Sequence, residues 1–533
     1  MIVGYIRDII HPWSTTDPPC PALPLVCREW HGYFAHENFR ILVLDQYRLN
    51  MFRELVDNSR IKHVERIVLR VQLLSYDCSV CEEPEDGKTA RANTIMFLNT
   101  LRELTTIMSS FDASCHPGIT LDLGAFSPSD GEHSFRECRF SRDYRYGAAQ
   151  HVYKHHSEEV LAQKRTQAVL SSSGCPGWKR VCDLTNPSRS EGSERRTYAT
   201  IGDWCICPDC WSFYVLQFEP VPIISALVLR RHYHRHISPV YLAELIDKSL
   251  PKLQSFRHEV PLHASAEDAS TFWEEYNVIF RAFPDTLNHL AIYQESEQVP
   301  RLEDKLDPSG QIRRWQLWGR PIIPTAGTMH ISTRLTTFTA AFGVRAEMFL
   351  TEIIESDLQL PKLEHMVLTS DCLDHGYPDD FFSMGLGEMI YMAGIVAYFH
   401  IPKLKSLVLW EGNSRRGYHV RFYYGKDRKP MMDWYCHGFQ YREGMFQAIW
   451  ELFVKLRKDD PPRFLQVHHF AEVRESVPAG YPTDFPGVSE AIFDPESLRQ
   501  MRFEREELGT NQPEPGEMSL ERRMSSCILP SGR

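Results

Sequence analysis

The sequence predicts an α/β fold: an irregular, leucine-rich-repeat-like solenoid with parallel strands on one side and helices on the other, preceded by a small helical segment. Three observations carry that expectation. A phrase of Leu-x-x-Leu-x-Leu type, mostly introduced by proline, recurs as VPIISALVLRR (from Val221), LPKLQSF (from Leu250), FPDTLNHLAIY (from Phe283), LPKLEHMVL (from Leu360) and IPKLKSLVL (from Ile401), with a degenerate copy at STRLTTFTAAF (from Ser332). Helical stretches such as PVYLAELIDKSL, STFWEEYNVIFRAF, AEMFLTEIIES and LGEMIYMAGIVAYF lie between the copies. Strand, helix, strand order also opens the chain, in a unit size that favours parallel pairing. One strand and one helix cannot bury their own apolar faces, so such units stack and share a core. Irregular spacing between copies leaves an ordinary α/β domain as the competing architecture.

Taken in order, residues 1–38 form the helical segment and 39–150 the first repeat-like units. FRILVL (Phe39 to Leu44) reads as a strand, and RLNMFRELVDNS as a helix with Leu49, Phe52, Leu55 and Val56 on one face. VERIVLRV (Val64 to Val71) alternates Ile67, Leu69 and Val71 inward against Arg66, Val68 and Arg70. Thr94 to Met108 is a helix facing the core through Phe97, Leu101, Leu104 and Met108, and GITLDL (Gly118 to Leu123) is the next strand. Residues 151–215 are a variable, partly disordered insertion, because Ser171 to Thr200 is rich in Ser, Gly, Pro and charge. Residues 216–460 carry the later units and end in GMFQAIWELFVKLRKDD, a capping helix with Phe446, Ile449, Trp450 and Phe453 inward. A C-terminal extension, 461–533, is expected to be disordered from about residue 494.

Hydrophobic residues make up 43% of the 533 residues, which supports a substantial core rather than a disordered chain. A net charge of −11, with both signs interspersed, argues against a nucleic-acid protein held by a broad basic face. The longest uncharged apolar run, Met389 to Phe399, is shorter than the ~20 residues a bilayer requires. Arg7 and Asp8 interrupt what would be the apolar part of a signal peptide, and Asn-x-Ser/Thr acceptors with x other than Pro are absent. The 14 cysteines are scattered, so reduced thiols in the cytoplasm or nucleus are expected.

Residues able to carry chemistry are few. Cys78 and Cys81 form one Cys-x-x-Cys, and Cys205, Cys207 and Cys210 form a denser group. Together they can offer four thiolates to zinc, but their separation and the lack of a close second pair favour plain reduced cysteines. His232, His234 and His236 at strand spacing would share a face, with no carboxylate set to complete a metal site. The Gly-Lys-Thr at Gly87 to Thr89 lacks the first glycine of a phosphate loop, that position being Glu82. Ser129, Asp130 and His133 lie close in sequence, where a turn held by Ser and Asp side chains is a better account than a triad. No cofactor is expected.

LPLVCREWHGYF (Leu23 to Phe34) resembles the second half of an F-box, with Leu25, Val26 and Trp30 at its core positions and Ile6, Ile9 and Ile10 standing in for the first helix. The Leu-Pro-x-Glu opening of that module is absent, and HPWSTTDPPCPALP interrupts the place of its middle helix. The motifs VCREWHGYF with NFRILVLDQYRL, VLRVQLLSYDCSVCE, LDLGAFSPSDGEHSFRECRF, VLRRHYHRHISP and the PKL copies make residues 20–460 similar to a family of fungal F-box proteins. The resemblance implies a substrate-recognition subunit without catalytic residues. It would bind the adaptor subunit of a cullin-based ubiquitin ligase through Ile6, Ile10, Leu25, Val26 and Trp30, and an unknown target protein through its repeats. Exposed residues that follow the repeat strands, Arg231, Tyr293, Trp410 and Glu411, are the candidate target contacts. An interaction scaffold of the same fold without ligase docking, and a zinc-stabilised or metal-dependent protein, remain the alternatives.

Overall fold

Each LPKL copy folds as a tight turn running into a strand. The backbone N–H at its end bonds the carbonyl three residues back: Leu253 to Leu250 at 3.1 Å, Leu363 to Leu360 at 3.3 Å and Leu404 to Ile401 at 3.2 Å. Proline in second place presets the φ that such a turn needs. One residue further on, the N–H groups of Gln254, Asn288, Thr336, Glu364 and Lys405 reach the carbonyls of Ser225, Gln254, Asn288, Thr336 and Glu364 at 2.7–2.9 Å, joining each unit to the one before.

The computed structural model describes residues 36, 39–81, 83–130, 196–202, 218–261, 266–294, 325–370, 389–412, 417–424, 430–437, 466–470, 488–498 and 501. Its strands are β1 (Ile41–Leu44), β2 (Arg66–Gln72), β3 (Ile119–Phe126), β4 (Thr200–Ile201), β5 (Ile224–Leu229), β6 (His236–Ile237), β7 (Ser255–Val260), β8 (His289–Gln294), β9 (Thr337–Arg345), β10 (His365–Thr369), β11 (Ser406–Gly412), β12 (Gly417–Tyr424), β13 (Pro430–His437) and β14 (Gln466–Phe470). The α-helices are α1 (Leu49–Leu55), α2 (Asn58–Ile61), α3 (Gly87–Ser109), α4 (Pro239–Ser249), α5 (Ala266–Glu275), α6 (Asn277–Ala282), α7 (Thr325–Ser332), α8 (Ala346–Glu355) and α9 (Ser489–Ile492). A helical stretch from 389 ends in a π-helical turn, Val396–His400.

All strands except the small β4–β6 pair join one 12-stranded sheet whose order follows the chain. Pairing is parallel from β1 to β11. It is antiparallel through β11–β12–β13 and parallel again at β14. The fold is therefore α/β with a mostly parallel sheet. Because β3 pairs directly with β5, the 151–215 insertion interrupts a single sheet rather than separating two.

Right-handed crossovers that always advance in one direction place their helices on one side of a sheet. That side holds the main core. Ile67, Leu69 and Val71 of β2 pack there with Phe97, Leu101 and Leu104 of α3, and Leu290, Phe338, Met366 and Leu407 of later strands with Phe280, Phe349, Leu350 and Ile353. Burying each such side chain stabilises the fold by roughly 1.5–3 kcal/mol. The α1 reading needs one adjustment: Leu49, Phe52 and Val56 are buried, but Leu55 is exposed.

One further expectation is corrected. The three histidines do not lie at strand spacing, since Arg231–Tyr233 is a 3-10 turn, His234 is left-handed at φ 59°, and only His236 enters a strand. Packing continues through Leu498. Asp494, Ser497 and Leu498 are buried, because a sheet with helices on one side leaves its other side to be covered.

Candidate functional site

The side of the sheet away from the helices is where charge and aromatic residues collect. Alternation along each strand sends there the residues that the main core leaves out. These are Arg66 and Arg70 of β2, Asp122 of β3, Arg257 and Glu259 of β7, Tyr293 of β8, Val367 of β10, and Val408 and Trp410 of β11. Residues 488–498 lie over this face. Val488, Ile492, Phe493 and Leu498 form a second hydrophobic cluster with Tyr293, Ala341, Val367, Val408 and Trp410. The Phe493 and Tyr293 rings meet edge to face at 4.5 Å.

Local chemistry shapes the covering segment. Asp494 follows α9, whose C-cap is Phe493, and caps the next turn: its Oδ1 accepts the Glu496 N–H at 3.0 Å, with Pro495 at the first helical position. The Leu498 N–H then closes on the Asp494 carbonyl at 3.0 Å. Beneath, the floor is also shaped. A register shift in the β9–β10 pairing, from Ala340 to Arg345 of β9, admits Phe342 at φ 60°, a conformation rarely taken by a bulky side chain. Its N–H donates to Thr369 Oγ1 at 2.7 Å, and its ring packs edge-on to Trp410 at 5.2 Å.

The other half of the face is ionic. Arg66 reaches Asp494 Oδ2 with Nη1 at 2.9 Å and Asp122 Oδ2 with Nη2 at 2.6 Å. Arg230 approaches the same Asp122 oxygen at 2.8 Å. Burial opposes the charge on both guanidinium groups, yet the neighbouring carboxylates, Asp122 foremost, outweigh it and raise their pKa values. For Asp494, burial pushes up but Arg66 and then Arg230 prevail, so its pKa is lowered. Glu259 accepts the Asp494 N–H at 2.8 Å and the Ser497 hydroxyl, and burial raises its pKa despite both bonds. Burial lowers the pKa of Arg257, whose Nη1 has no hydrogen-bond partner among the described residues.

Three of the four expected target contacts lie against this face or its rim, but none is exposed. Tyr293 and Trp410 are in the covered cluster, Arg231 donates its N–H to Glu259 at 3.3 Å, and Glu411 is buried at the end of β11. The sequence reading missed Arg66, Asp122, Arg230, Glu259 and Asp494. Their signal was charge embedded in apolar strand phrases, such as Asp122 in ITLDL.

Elsewhere the sequence motifs resolve into structure. Asp86 caps α3 by accepting the Thr89 N–H at 2.7 Å, so Gly87 to Thr89 is a helix start. Asp130 holds its turn through the Ser127 N–H at 2.9 Å and pairs with Arg235 at 3.1 Å. Cys78 is exposed and Cys81 is buried, with Cys81 Sγ donating to the Cys78 carbonyl at 3.5 Å. Cys205, Cys207, Cys210, His133, the stretch expected to form the capping helix and the expected adaptor contacts Ile6, Ile10, Leu25, Val26 and Trp30 lie outside the described residues. Among the described residues no group of three or more His, Cys, Asp or Glu can hold a metal ion, and no helix is long and apolar enough to cross a membrane. Burial and then Arg230 and Arg70 lower the pKa of His232, and those cations would also repel a metal ion.

Residues 282–466 match a family of unknown function, DUF6546. No curated protein and no solved structure matches the chain significantly. The matched span contains the aromatic floor, Tyr293 to Trp410, while the ionic half and the covering segment lie beyond it.

Proposed function

We propose that this chain is a non-catalytic protein-binding module, an irregular leucine-rich-repeat-like solenoid that serves as a substrate-recognition subunit of a cullin-based ubiquitin ligase in the cytoplasm or nucleus. The observation that supports the binding module is the stacking of strand–helix units in strict chain order, which, among the described residues, leaves one broad sheet face free of crossover helices. Ligase docking rests on the resemblance of Leu23 to Phe34 to an F-box, with Leu25, Val26 and Trp30 supplying its small core. In this reading the protein positions a target, and the associated subunits do the chemistry.

A scaffold of the same fold without ligase docking is the second reading, favoured by the missing Leu-Pro-x-Glu opening and the proline-rich HPWSTTDPPCPALP. Capture of the purified full-length chain on immobilised adaptor subunit separates the two. The expected result is capture by the wild type and its loss in Trp30→Ala. Failure of the folded wild type to bind would remove the ligase assignment and leave the scaffold.

A further inference from the structure

The described residues form two apolar clusters, which divide the sheet by side. The first unites the strands with their helices and contains no residue of 488–498. The second exists only where that segment meets the opposite face. Lifting the segment would therefore leave the main core intact and uncover Tyr293, Val367, Val408 and Trp410 together.

The polar contacts have the form of peptide recognition. Glu259 binds a main-chain N–H and a hydroxyl of the segment, while Arg66 takes its carboxylate. Charge is complementary as well. Arg66, Arg230 and Arg257 on the sheet side face Asp122 and Glu259, and Asp494 supplies the third carboxylate. Arg257 lies near enough to be influenced by Asp494 and Glu259, yet its Nη1 makes no hydrogen bond among the described residues.

We propose that this face is the partner-binding site, that residues 488–498 occupy it as an internal ligand, and that the partner is an acidic peptide carrying an aromatic–aspartate pair like Phe493-Asp494. The proposal deepens the binding-module reading and rests on it. An incoming aromatic ring takes the place of Phe493 against Tyr293, and its acid takes the place of Asp494 at Arg66. A second acid has Arg257 to pair with, which gives such a partner an advantage over the internal segment.

The test uses the full-length chain and a fluorescent peptide with the sequence of residues 486–502, read by anisotropy. Phe493→Ala combined with Asp494→Ala should free the face and bind the peptide at least about tenfold more tightly than the wild type. A peptide with alanine at both positions should bind neither protein. Equal binding by wild type and a folded variant overturns the proposal, and so does loss of the whole fold in the variant. Hydrogen exchange on the wild type gives an independent reading. Amides of 488–498 should exchange ahead of those in β7 and β8, and exchange only in concert with those strands overturns the proposal. These outcomes are separate from adaptor capture: peptide binding without capture leaves the face standing without the ligase, and capture without peptide binding leaves a receptor that uses another surface.

Discussion

Acidification should weaken the fold through His258, and the size of the effect follows from its site. His258 points from β7 into the main core side, stacks on Tyr276 at 5.6 Å and shares a hydrogen bond of 2.8 Å with the Tyr276 hydroxyl. Burial, and secondarily His236, lowers its pKa to about 3. An unfolded histidine titrates near ~6.5, so between these values the unfolded chain holds a proton that the folded chain refuses. Stability is therefore full above the unfolded value and is lost as pH falls from it toward the folded one. From about pH 7.5 to about pH 5 the loss from this group is on the order of 2 kcal/mol. His258→Gln keeps a polar partner for Tyr276 without a titrating ring. Urea midpoints at the two pH values, followed by tryptophan fluorescence, should show a pH dependence smaller by about that amount in the variant. Any fixed cost of the substitution appears at both pH values and drops out of the comparison. Identical pH dependence in the two proteins would refute the reasoning.

Two substitutions test the covered face and its support. Arg66→Ala strands Asp494 and weakens the pairing of Asp122, and should cost about 3–5 kcal/mol in urea unfolding; a cost below about 1 kcal/mol would mean the pairs are solvated. At Gly124, an added Cβ would come within 2.1 Å of Tyr233, a buried ring that also carries Arg230 at 5.4 Å. Gly124→Ala should therefore lower stability by about 1–3 kcal/mol, and an unchanged urea midpoint would show that the ring can retreat.

The strands were legible because their pattern is local. Ile67, Leu69 and Val71 alternate in VERIVLRV and all three are buried, and all six recurring phrases run into strands of the main sheet. Proline and leucine in LPKL announce both the turn and the residue that enters the core, as Leu253, Leu363 and Leu404 do. The opposite face was not legible. Alternation tells which residues share a side of a strand, but it does not say what covers them. Arg66 looks like a solvated charge until Asp122, 56 residues on, and Asp494, 428 residues on, are brought beside it. Similarly, Trp410 and Tyr293 look like exposed contacts until the chain's own Phe493 is placed against Tyr293 and Phe342 against Trp410.

The position of the covering segment follows from the way the sheet is wound. Parallel sheets normally have both faces buried, because alternating crossover directions supply helices to each. Here the strands advance one way only, so the described crossover helices serve the same face and the other must find its cover elsewhere. Tyr293, Val367, Val408 and Trp410 form too apolar a surface to remain in water, and Arg66, Asp122 and Arg230 too charged a surface for an apolar lid. A segment with Ile492 and Phe493 beside Asp494 and Ser497 meets both demands within a few residues. It is also a thin layer, a few apolar side chains with the Asp494 carboxylate at Arg66 and two hydrogen bonds to Glu259, against a main core anchored by several helices. Of the two layers described on this sheet, the thin one is the smaller, so the partner site proposed beneath it asks the segment to lift while the main core continues to hold the fold.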